Sequence, residues 1–172
     1  KLKYGKVCFN LSAGRYTVGM DIPEGRYQII AKKNSGNIYN KYSTFDKNLD
    51  AEDNNTPKIF ARLFIGDILT ITYSLVVELS SKNANLTQSI IRNEIGKEII
   101  LKKGVYTCGK DFEIGIYDIV LVEDGGSIEI ETEGVGNYAN SYIFGPDYKD
   151  IKEIRNYDFE IGEKIHIYGK NL

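Results

Sequence analysis

The sequence lacks several features that would point directly to a function. It contains no run of about 20 apolar residues, the length that a membrane span requires, because charge or glycine interrupts its longest apolar stretches. Its 22 basic and 24 acidic side chains are interspersed and leave a net charge of −2. The pairs Lys32-Lys33 and Lys102-Lys103 are too short for the basic stripe that neutralises phosphates. We therefore expect neither a membrane span nor nucleic-acid binding.

Histidine and cysteine are scarce, which removes most catalytic and metal-binding arrangements. His166 is the only histidine, so a histidine-centred triad or a site of several histidines has no partners. It lies between two isoleucines in an alternating stretch, where its side chain should face solvent. Cys8 and Cys108 are the only cysteines, and they occupy non-equivalent positions of the repeat described next. We interpret each as a small buried side chain rather than as half of a disulfide.

What the sequence does contain is an internal repeat. Residues 14–29 read GRYTVGMDIPEGRYQI and residues 104–119 read GVYTCGKDFEIGIYDI, with eight of sixteen positions identical at a constant offset of 90. Chance would give about one identity. The match resumes at Ile65-Gly66-Asp67 and Ile161-Gly162-Glu163 with an offset of 96, so the second copy carries six extra residues, which we place in a long loop within 132–150.

The repeat sets the expected domain organisation. It predicts a first module over residues 1–82, a linker or short helix over 83–94, and a second module over 95–172. The helix would run from Leu86 to Glu94. Upstream of each conserved block, Gly5-Lys6 matches Gly96-Lys97, with an offset one residue larger than the 90 of the repeat. This match indicates that each module begins with a strand before that block.

Each copy has the pattern of β-structure. Apolar and polar residues alternate around Tyr16, as in a half-buried strand. Gly19 allows a positive φ, Asp21 can accept backbone hydrogen bonds, and Ile22-Pro23-Glu24-Gly25 fits a β-turn. Turn signals recur about every 8–12 residues. We predict an all-β protein of two tandem small antiparallel β-sandwich, jelly-roll-like modules that are related by internal duplication.

The block from Tyr16 to Tyr27, YTVGMDIPEGRY, resembles a Y-x-V-G-x-D-I-P-x-G-x-Y module of secreted and lipoprotein-like proteins of Gram-positive bacteria. The second copy departs from this pattern at Cys108, Phe112, Glu113 and Ile114. The resemblance implies a β-rich fold and an extracellular or cell-surface setting, and it supplies no catalytic residues. Because the sequence begins at Lys1 without a methionine, a signal peptide, a lipid-anchored start or an upstream domain all stay open.

One stretch is rich in potential metal ligands. Asp46, Asn48 and Asp50 match the first three ligand positions of a calcium loop, since calcium prefers carboxylate and amide oxygens. The match fails further on, because Ala51 stands where the loop needs glycine and Pro57 stands where it needs a bidentate glutamate. A weak calcium site and a solvated loop are both open interpretations, and no other cofactor is indicated.

The 13 tyrosines fall into two groups. Those at paired repeat positions are expected to pack in the core or against turns, namely Tyr16, Tyr27, Tyr106 and Tyr117. Tyrosines outside the repeat are better candidates for an exposed surface that stacks on sugars, namely Tyr39, Tyr42, Tyr138, Tyr142, Tyr148 and Tyr157.

These patterns favour a binding protein over an enzyme. We predict a non-catalytic interaction module of a bacterial surface or secreted protein, with a protein or a glycan as partner and with no catalytic residues. The alternative is a structural spacer or accessory domain of a larger protein, without a ligand of its own. The oligomeric state is not indicated by any pattern.

Overall fold

The regular structure of the chain consists of β-strands. The computed structural model describes residues 3–42, 44–87, 96–123, 125–132, 139–146 and 150–169, and within these ranges it contains no helix. None of these residues therefore forms a helix that could cross a bilayer. The all-β prediction is confirmed. The chain divides into two units, Lys1–Ile95 and Gly96–Leu172.

The first unit contains two four-stranded antiparallel sheets. Their orders are β1-β8-β3-β6 and β2-β7-β4-β5. The strands are β1 (Tyr4–Leu11), β2 (Gly14–Thr17), β3 (Gly25–Lys33), β4 (Ser35–Asn40), β5 (Asp46–Asp50), β6 (Ile59–Leu63), β7 (Ile68–Ile71) and β8 (Val76–Asn85).

Alternation along these strands creates the core of the first unit. Val77 and Leu79 of β8 are buried, whereas Glu78 between them is only half-buried. They join one apolar cluster with side chains from the other sheet, among them Ile38 and Leu69. Full burial of one such aliphatic side chain stabilises the fold by about 1.5–3 kcal/mol, so the cluster sets which face of each strand points inward.

The second unit is built from six described strands. They are β9 (Gly104–Thr107), β10 (Gly115–Val120), β11 (Gly126–Glu131), β12 (Ala139–Phe144), β13 (Glu153–Phe159) and β14 (Lys164–Gly169). Strands β12-β11-β14-β9 form a four-stranded antiparallel sheet, and β10 pairs with β13. Ile130, Ile154 and Phe159 are among the residues of its own buried cluster.

The pairing of the second unit repeats that of the first. The order β9-β14-β11-β12 corresponds to β2-β7-β4-β5, and the pair β10-β13 corresponds to β3-β6. The register agrees as well: Tyr16 lies opposite Leu69, and Tyr106 opposite Ile165. These partners differ by the same offsets, 90 and 96, that the sequence repeat shows.

A shared turn explains several of the identical residues. The backbone N–H of Thr17 donates to Asp21 Oδ2 at 2.8 Å, and Thr107 donates to Asp111 Oδ2 at 2.7 Å. The glycine within each turn has a positive φ, 91° at Gly19 and 85° in the second copy, which side chains with a Cβ rarely adopt. The predicted roles of this glycine and of the aspartate are confirmed.

A second shared glycine is required by close packing. A Cβ on Gly36 would collide with the carbonyl oxygen of Thr72, and a Cβ on Gly126 would collide with that of Tyr168. Thr72 and Tyr168 are themselves separated by the repeat offset of 96. Each unit therefore uses a glycine, on β4 in the first and on β11 in the second, to let that strand approach the neighbouring backbone.

Three local predictions are wrong. The β-turn expected at Ile22–Gly25 does not form, because Ile22 bridges Val18 and the carbonyl oxygen of Glu24 accepts from the N–H of Asn85 at 2.7 Å. Residues 83–85 belong to β8 rather than to a linker, and residues 139–144 of the expected loop form β12. Of the short helix expected from Leu86 to Glu94, residues 88–94 lie outside the described residues.

Candidate functional site

Among the described residues, a group of interacting polar and aromatic side chains lies on the solvent side of the sheet β12-β11-β14-β9. Strand alternation places it there: Ile128 and Ile130 of β11 point into the core, while Glu129 and Glu131 point outward. On β14, Ile165 is buried, so His166 emerges beside the glutamates. The expectation that His166 faces away from Ile165 is confirmed. We call the set of Glu129, Glu131, Ser141, His166 and Tyr168 the second-unit face.

Hydrogen bonds organise the second-unit face around its two carboxylates. Nε2 of His166 lies 3.0 Å from Oε2 of Glu131. The hydroxyl of Tyr168 donates to Oε2 of Glu129 at 3.1 Å, and Oγ of Ser141 donates to Oε1 of the same carboxylate at 3.3 Å. The five side chains therefore come from three adjacent strands and form two hydrogen-bonded groups, one around each carboxylate.

The two aromatic rings of the face lie side by side. The rings of His166 and Tyr168 stack, with centroids 6.3 Å apart and planes inclined by 17°. Tyr168 retains 42% of its surface accessible. Partial desolvation, the hydrogen bond to Glu129 and the negative charges of Glu129 and Glu131 raise the pKa of its hydroxyl above the usual value. The phenol is therefore a protonated donor at neutral pH, next to acceptors.

Exposed apolar side chains border the second-unit face. Val105 lies opposite His166 on β9, and Ile143 lies opposite Ser127 on β12. Both side chains are more than half exposed. A ligand on this face would therefore meet acceptors and aromatic rings in the centre and apolar surface on either side.

The corresponding sheet of the first unit also presents an aromatic ring among polar groups. Tyr39, at the repeat position of Glu129, is 38% exposed on β4. Close to it in the ladder, Nδ2 of Asn48 donates to Oδ1 of Asn37 at 2.9 Å. Thr70 lies between Tyr39 and Arg15 on the adjacent strands. We call this set the first-unit face.

The calcium candidates lie on strand β5, at the edge of this first-unit sheet. Asp46, Asn48 and Asp50 occupy alternate positions of an extended strand, where successive side chains on one face stand about 6.5–7 Å apart. They therefore do not converge on one ion, which holds its oxygens at about 2.3–2.6 Å. Oδ1 of Asp50 instead accepts the N–H of Glu52 at 2.9 Å. The described residues contain no group of three or more histidine, cysteine or acidic side chains arranged around a metal position.

The burial of the tyrosines agrees only partly with the sequence prediction. Tyr16 and Tyr27 are buried and their repeat partners Tyr106 and Tyr117 are half-buried, which confirms their packing role. Tyr39 and Tyr42 are exposed. The prediction of an exposed Tyr142 is wrong, because it points into the core from β12. Tyr157 is half-buried against Phe159, and Tyr138 and Tyr148 lie outside the described residues.

The cysteines differ from each other. Cys8 is exposed, which contradicts the expectation of a buried side chain, whereas Cys108 is buried; both are free thiols. Burial, followed by the nearby charge of Glu163, raises the pKa of the Cys108 thiol. A raised pKa lowers the fraction of thiolate and makes the sulfur a poorer nucleophile. Cys108 is therefore best explained as a packing residue.

A shallow depression lies elsewhere on the second unit, beside the shared turn. It has a volume of about 400 Å³ and is lined by residues including Lys97, Lys110, Phe112 and Glu113. Lys97 and Glu113 form an ion pair of 3.1 Å at its rim, and both are exposed. Exposed pairs of this kind contribute little free energy. The depression is therefore a weaker candidate for a binding site than the second-unit face.

Sequence reasoning missed most of the second-unit face. The pairs Glu129-x-Glu131 and His166-x-Tyr168 do alternate along the sequence, a signal that each pair shares one side of a strand. What the sequence did not reveal is that Glu129 lies opposite His166. Comparison of the chain with protein-family models, with curated proteins and with solved structures found no match.

Proposed function

We propose that this chain is a non-catalytic binding module of a bacterial surface or secreted protein, and that it binds a glycan on the second-unit face. The observation that carries the proposal is the aromatic pair of half-buried His166 and exposed Tyr168, which lies beside the carboxylates of Glu129 and Glu131.

The chemistry of the face suits a polyhydroxylated ligand. Carboxylate oxygens accept hydrogen bonds from sugar hydroxyls, and charged acceptors form the stronger bonds. The exposed ring of Tyr168 and the bordering side chain of Val105 offer apolar surface to the C–H groups of a sugar. The existing hydrogen bonds fix the donor and acceptor positions, which lowers the entropic cost of binding.

The scaffold beneath the face supports a module that has been duplicated. We infer that both units are small antiparallel β-sandwiches of jelly-roll type, derived from one ancestral repeat. In support, the two units share strand order, cross-strand register and the turn around Asp21 and Asp111. The first-unit face, with Tyr39 in the corresponding place, would then be a second and different binding surface of the same kind.

The cell-surface setting follows from the resemblance of the Tyr16–Tyr27 block to modules of secreted and lipoprotein-like proteins. A module that presents acidic and aromatic side chains on an open sheet face is suited to contact an extended polymer. In this proposal the shared residues maintain the scaffold, while the faces, whose residues differ between the units, determine what is bound.

The proposal is tested by titrating the isotopically labelled full chain with cello-, chito- and manno-oligosaccharides and following amide chemical shifts. We expect shifts concentrated on β11 and β14, and at least about tenfold weaker binding for Tyr168→Ala. Tyr4→Ala is the matched control, because Tyr4 is also an exposed tyrosine but lies on β1 of the first unit. It should bind like the unaltered chain.

Three results would overturn the glycan proposal. If no oligosaccharide shifts any resonance of the second-unit face, the spacer alternative is favoured. If binding occurs but Tyr168→Ala and Tyr4→Ala weaken it equally, the ligand does not contact this face. Binding of a protein with loss on Tyr168→Ala, in the absence of any glycan effect, would reassign the face to a protein partner.

A further inference from the structure

The outer side of the first-unit sheet β1-β8-β3-β6 carries an exposed basic residue on each of its strands. Tyr27 of β3 and Ser81 of β8 are buried, so their neighbours Arg26 and Lys82 point outward. The same alternation turns one basic residue outward on β1 and one on β6. We call these residues, taken in the order of the strands, the basic row: Lys6, Lys82, Arg26 and Arg62.

Cross-strand register aligns the basic row across the middle of the sheet. Arg26 of β3 lies directly opposite Arg62 of β6. On the other side of β3, Gln28 lies opposite Ser80 of β8. Lys82 is two residues beyond Ser80 and Arg26 is two residues before Gln28, so Lys82 and Arg26 are neighbours on the outer side of the sheet.

The β1 ladder extends the basic row to the fourth strand. Gly5 and Val7 of β1 pair with β8 on either side of Lys82, so Lys6 between them is the neighbour of Lys82. Because adjacent strands lie about 4.8 Å apart, the row spans about 15 Å. Its members come from four separate parts of the sequence, which is why no run of basic residues predicts it.

The charges of the basic row have no ion-pair partners among the described residues. Like charges directly opposite each other destabilise a sheet, and Arg26 and Arg62 are such a pair. The carboxylates on the same strands have other partners. Glu78 pairs with Lys32 at 3.5 Å, and Glu24 accepts a backbone N–H at 3.0 Å. The row therefore concentrates positive charge on a chain whose net charge is −2.

Exposed aromatic rings border the basic row at its β6 end. Phe60 and Phe64 stand two residues before and two residues after Arg62, and they are 75% and 53% exposed. The guanidinium of Arg62 lies 4.8 Å from the ring centre of Phe64. On the middle strands, Ser80 and Gln28 occupy the next row. Large apolar side chains grouped in this way mark interaction surfaces.

We propose that the basic row binds a linear acidic polysaccharide, a polyuronate that lies across the strands. Guanidinium groups bind carboxylates through two parallel hydrogen bonds. A sugar ring is about as long as the strand spacing of about 4.8 Å, so a polyuronate brings carboxylates to neighbouring strands. The rings of Phe60 and Phe64 offer apolar surface to sugar C–H groups, and Ser80 and Gln28 offer hydrogen bonds to sugar hydroxyls.

The same surface suits other polyanions less well. A polyphosphate has no apolar face to place on Phe60 and Phe64. A single-stranded nucleic acid stacks successive bases on aromatic rings, and the outward residues of β8 and β3 include no aromatic ring. This inference goes beyond the function proposed above, since it concerns a different unit and a charged ligand, and it does not depend on glycan binding at the second-unit face.

The test titrates the isotopically labelled full chain with an oligogalacturonate that spans the row, about 15 Å long, at low ionic strength. We expect amide shifts on β3, β6 and β8, and weaker binding as salt is added. The fully methyl-esterified oligomer is the matched ligand, because it keeps the sugar chain and removes the charges. It should bind at least about tenfold more weakly.

Substitutions in the first unit separate the basic row from general attraction between charges. Arg26→Gln should weaken oligogalacturonate binding about tenfold. Its thermal stability should be unchanged or higher, because the substitution removes a like-charge pair, so the loss of binding is not a loss of folding. Lys47→Gln is the control, since it removes an exposed charge from β5 of the other sheet. It should bind like the unaltered chain.

Several outcomes would overturn the proposal. These are the absence of oligogalacturonate binding, equal affinity for the methyl ester, and equal losses for Arg26→Gln and Lys47→Gln. Tighter binding of polyphosphate, of single-stranded DNA or of anionic lipid vesicles than of oligogalacturonate, with loss on Arg26→Gln, would assign the row to another polyanion and contradict the proposal.

Discussion

The hydroxyl of Tyr27 donates a hydrogen bond to the carbonyl oxygen of Pro23 at 2.7 Å. Tyr117 makes the same bond to Glu113 at 2.8 Å in the second unit, although the acceptor residue has changed from proline to glutamate. The bond needs only a backbone oxygen, so the tyrosine is retained while the residue four positions before it varies. This relationship illustrates how the repeated residues serve the scaffold.

Removal of the Tyr27 hydroxyl should destabilise the first unit. Tyr27→Phe leaves the partly buried carbonyl of Pro23 without its donor, at a cost of about 1–3 kcal/mol. Tyr117→Phe should cost less, because its half-buried position lets water replace the donor. Local free energies of opening from hydrogen exchange would report the two effects separately. A larger loss for Tyr117→Phe than for Tyr27→Phe would contradict this explanation.

Tyr27 should also make stability depend on alkaline pH. Burial raises its pKa from 10 to about 12, so above pH 10 the unfolded chain loses this proton before the folded chain does. The contribution is fully present below pH 10 and is lost as pH rises from 10 to about 12. Denaturant unfolding of Tyr27→Phe should show a weaker decline over this range. An equal decline in both proteins would refute the assignment.

The close-packed glycines predict a steric effect in both units. Gly36→Ala and Gly126→Ala force a Cβ against a backbone oxygen, and each should destabilise its unit by about 1–3 kcal/mol. Ser35→Ala, at the exposed neighbouring position, serves as the control and should change stability by less than about 0.5 kcal/mol. Thermal unfolding of the glycine variants and of the control measures these changes in stability. A neutral Gly126→Ala would show that β11 does not approach Tyr168 as described.

The cysteines should react at different rates with a thiol reagent. Cys8 is exposed, while Cys108 is buried and has a raised thiol pKa, so one thiol per chain should react rapidly at neutral pH. Cys8→Ser should abolish the rapid phase, and Cys108→Ser should leave it intact. Denaturant should expose the second thiol. Rapid reaction of two thiols in the native protein would contradict the placement of Cys108.

The carboxylates of the second-unit face should control ionisation of Tyr168. Desolvation, the hydrogen bond to Glu129 and the nearby negative charges together raise the pKa of Tyr168, so Glu129→Gln, which removes one of those charges, should lower that pKa toward the usual value near 10. The tyrosine ring carbon resonances of labelled protein report the titration. Glu78→Gln, which alters a carboxylate of the first unit, should leave the Tyr168 titration unchanged. If Glu129→Gln has no effect, the hydrogen bond between the two strands is absent in solution.

Local patterns predicted much of the scaffold because strands and turns are encoded by neighbouring residues. The roles of Gly19 and Asp21 could be derived from backbone geometry alone. The orientation of Cys8 could not, since apolar residues occupy positions 7, 8 and 9, and either side of β1 could face inward. The sequence left the calcium interpretation open for a related reason: the spacing of Asp46, Asn48 and Asp50 fits alternate positions of a strand as well as those of a loop.

Long-range pairing carried the information that the sequence did not reveal. The second-unit face depends on Glu129 of β11 meeting His166 of β14, residues 37 apart in the sequence. This feature arises from which strands are neighbours, and a repeat alignment identifies equivalent residues without identifying their partners.

Cross-strand distances in the second unit test the shared scaffold most directly. Nuclear Overhauser effects measured on the labelled full chain should link Tyr106 with Ile165 and Gly104 with Ile167, as they should link Tyr16 with Leu69 and Gly14 with Ile71. This result would place matching residues of the repeat in matching ladders. Contacts displaced by one residue in the second unit, or contacts of helical spacing, would show that the two copies of the repeat do not fold into the same arrangement of paired strands.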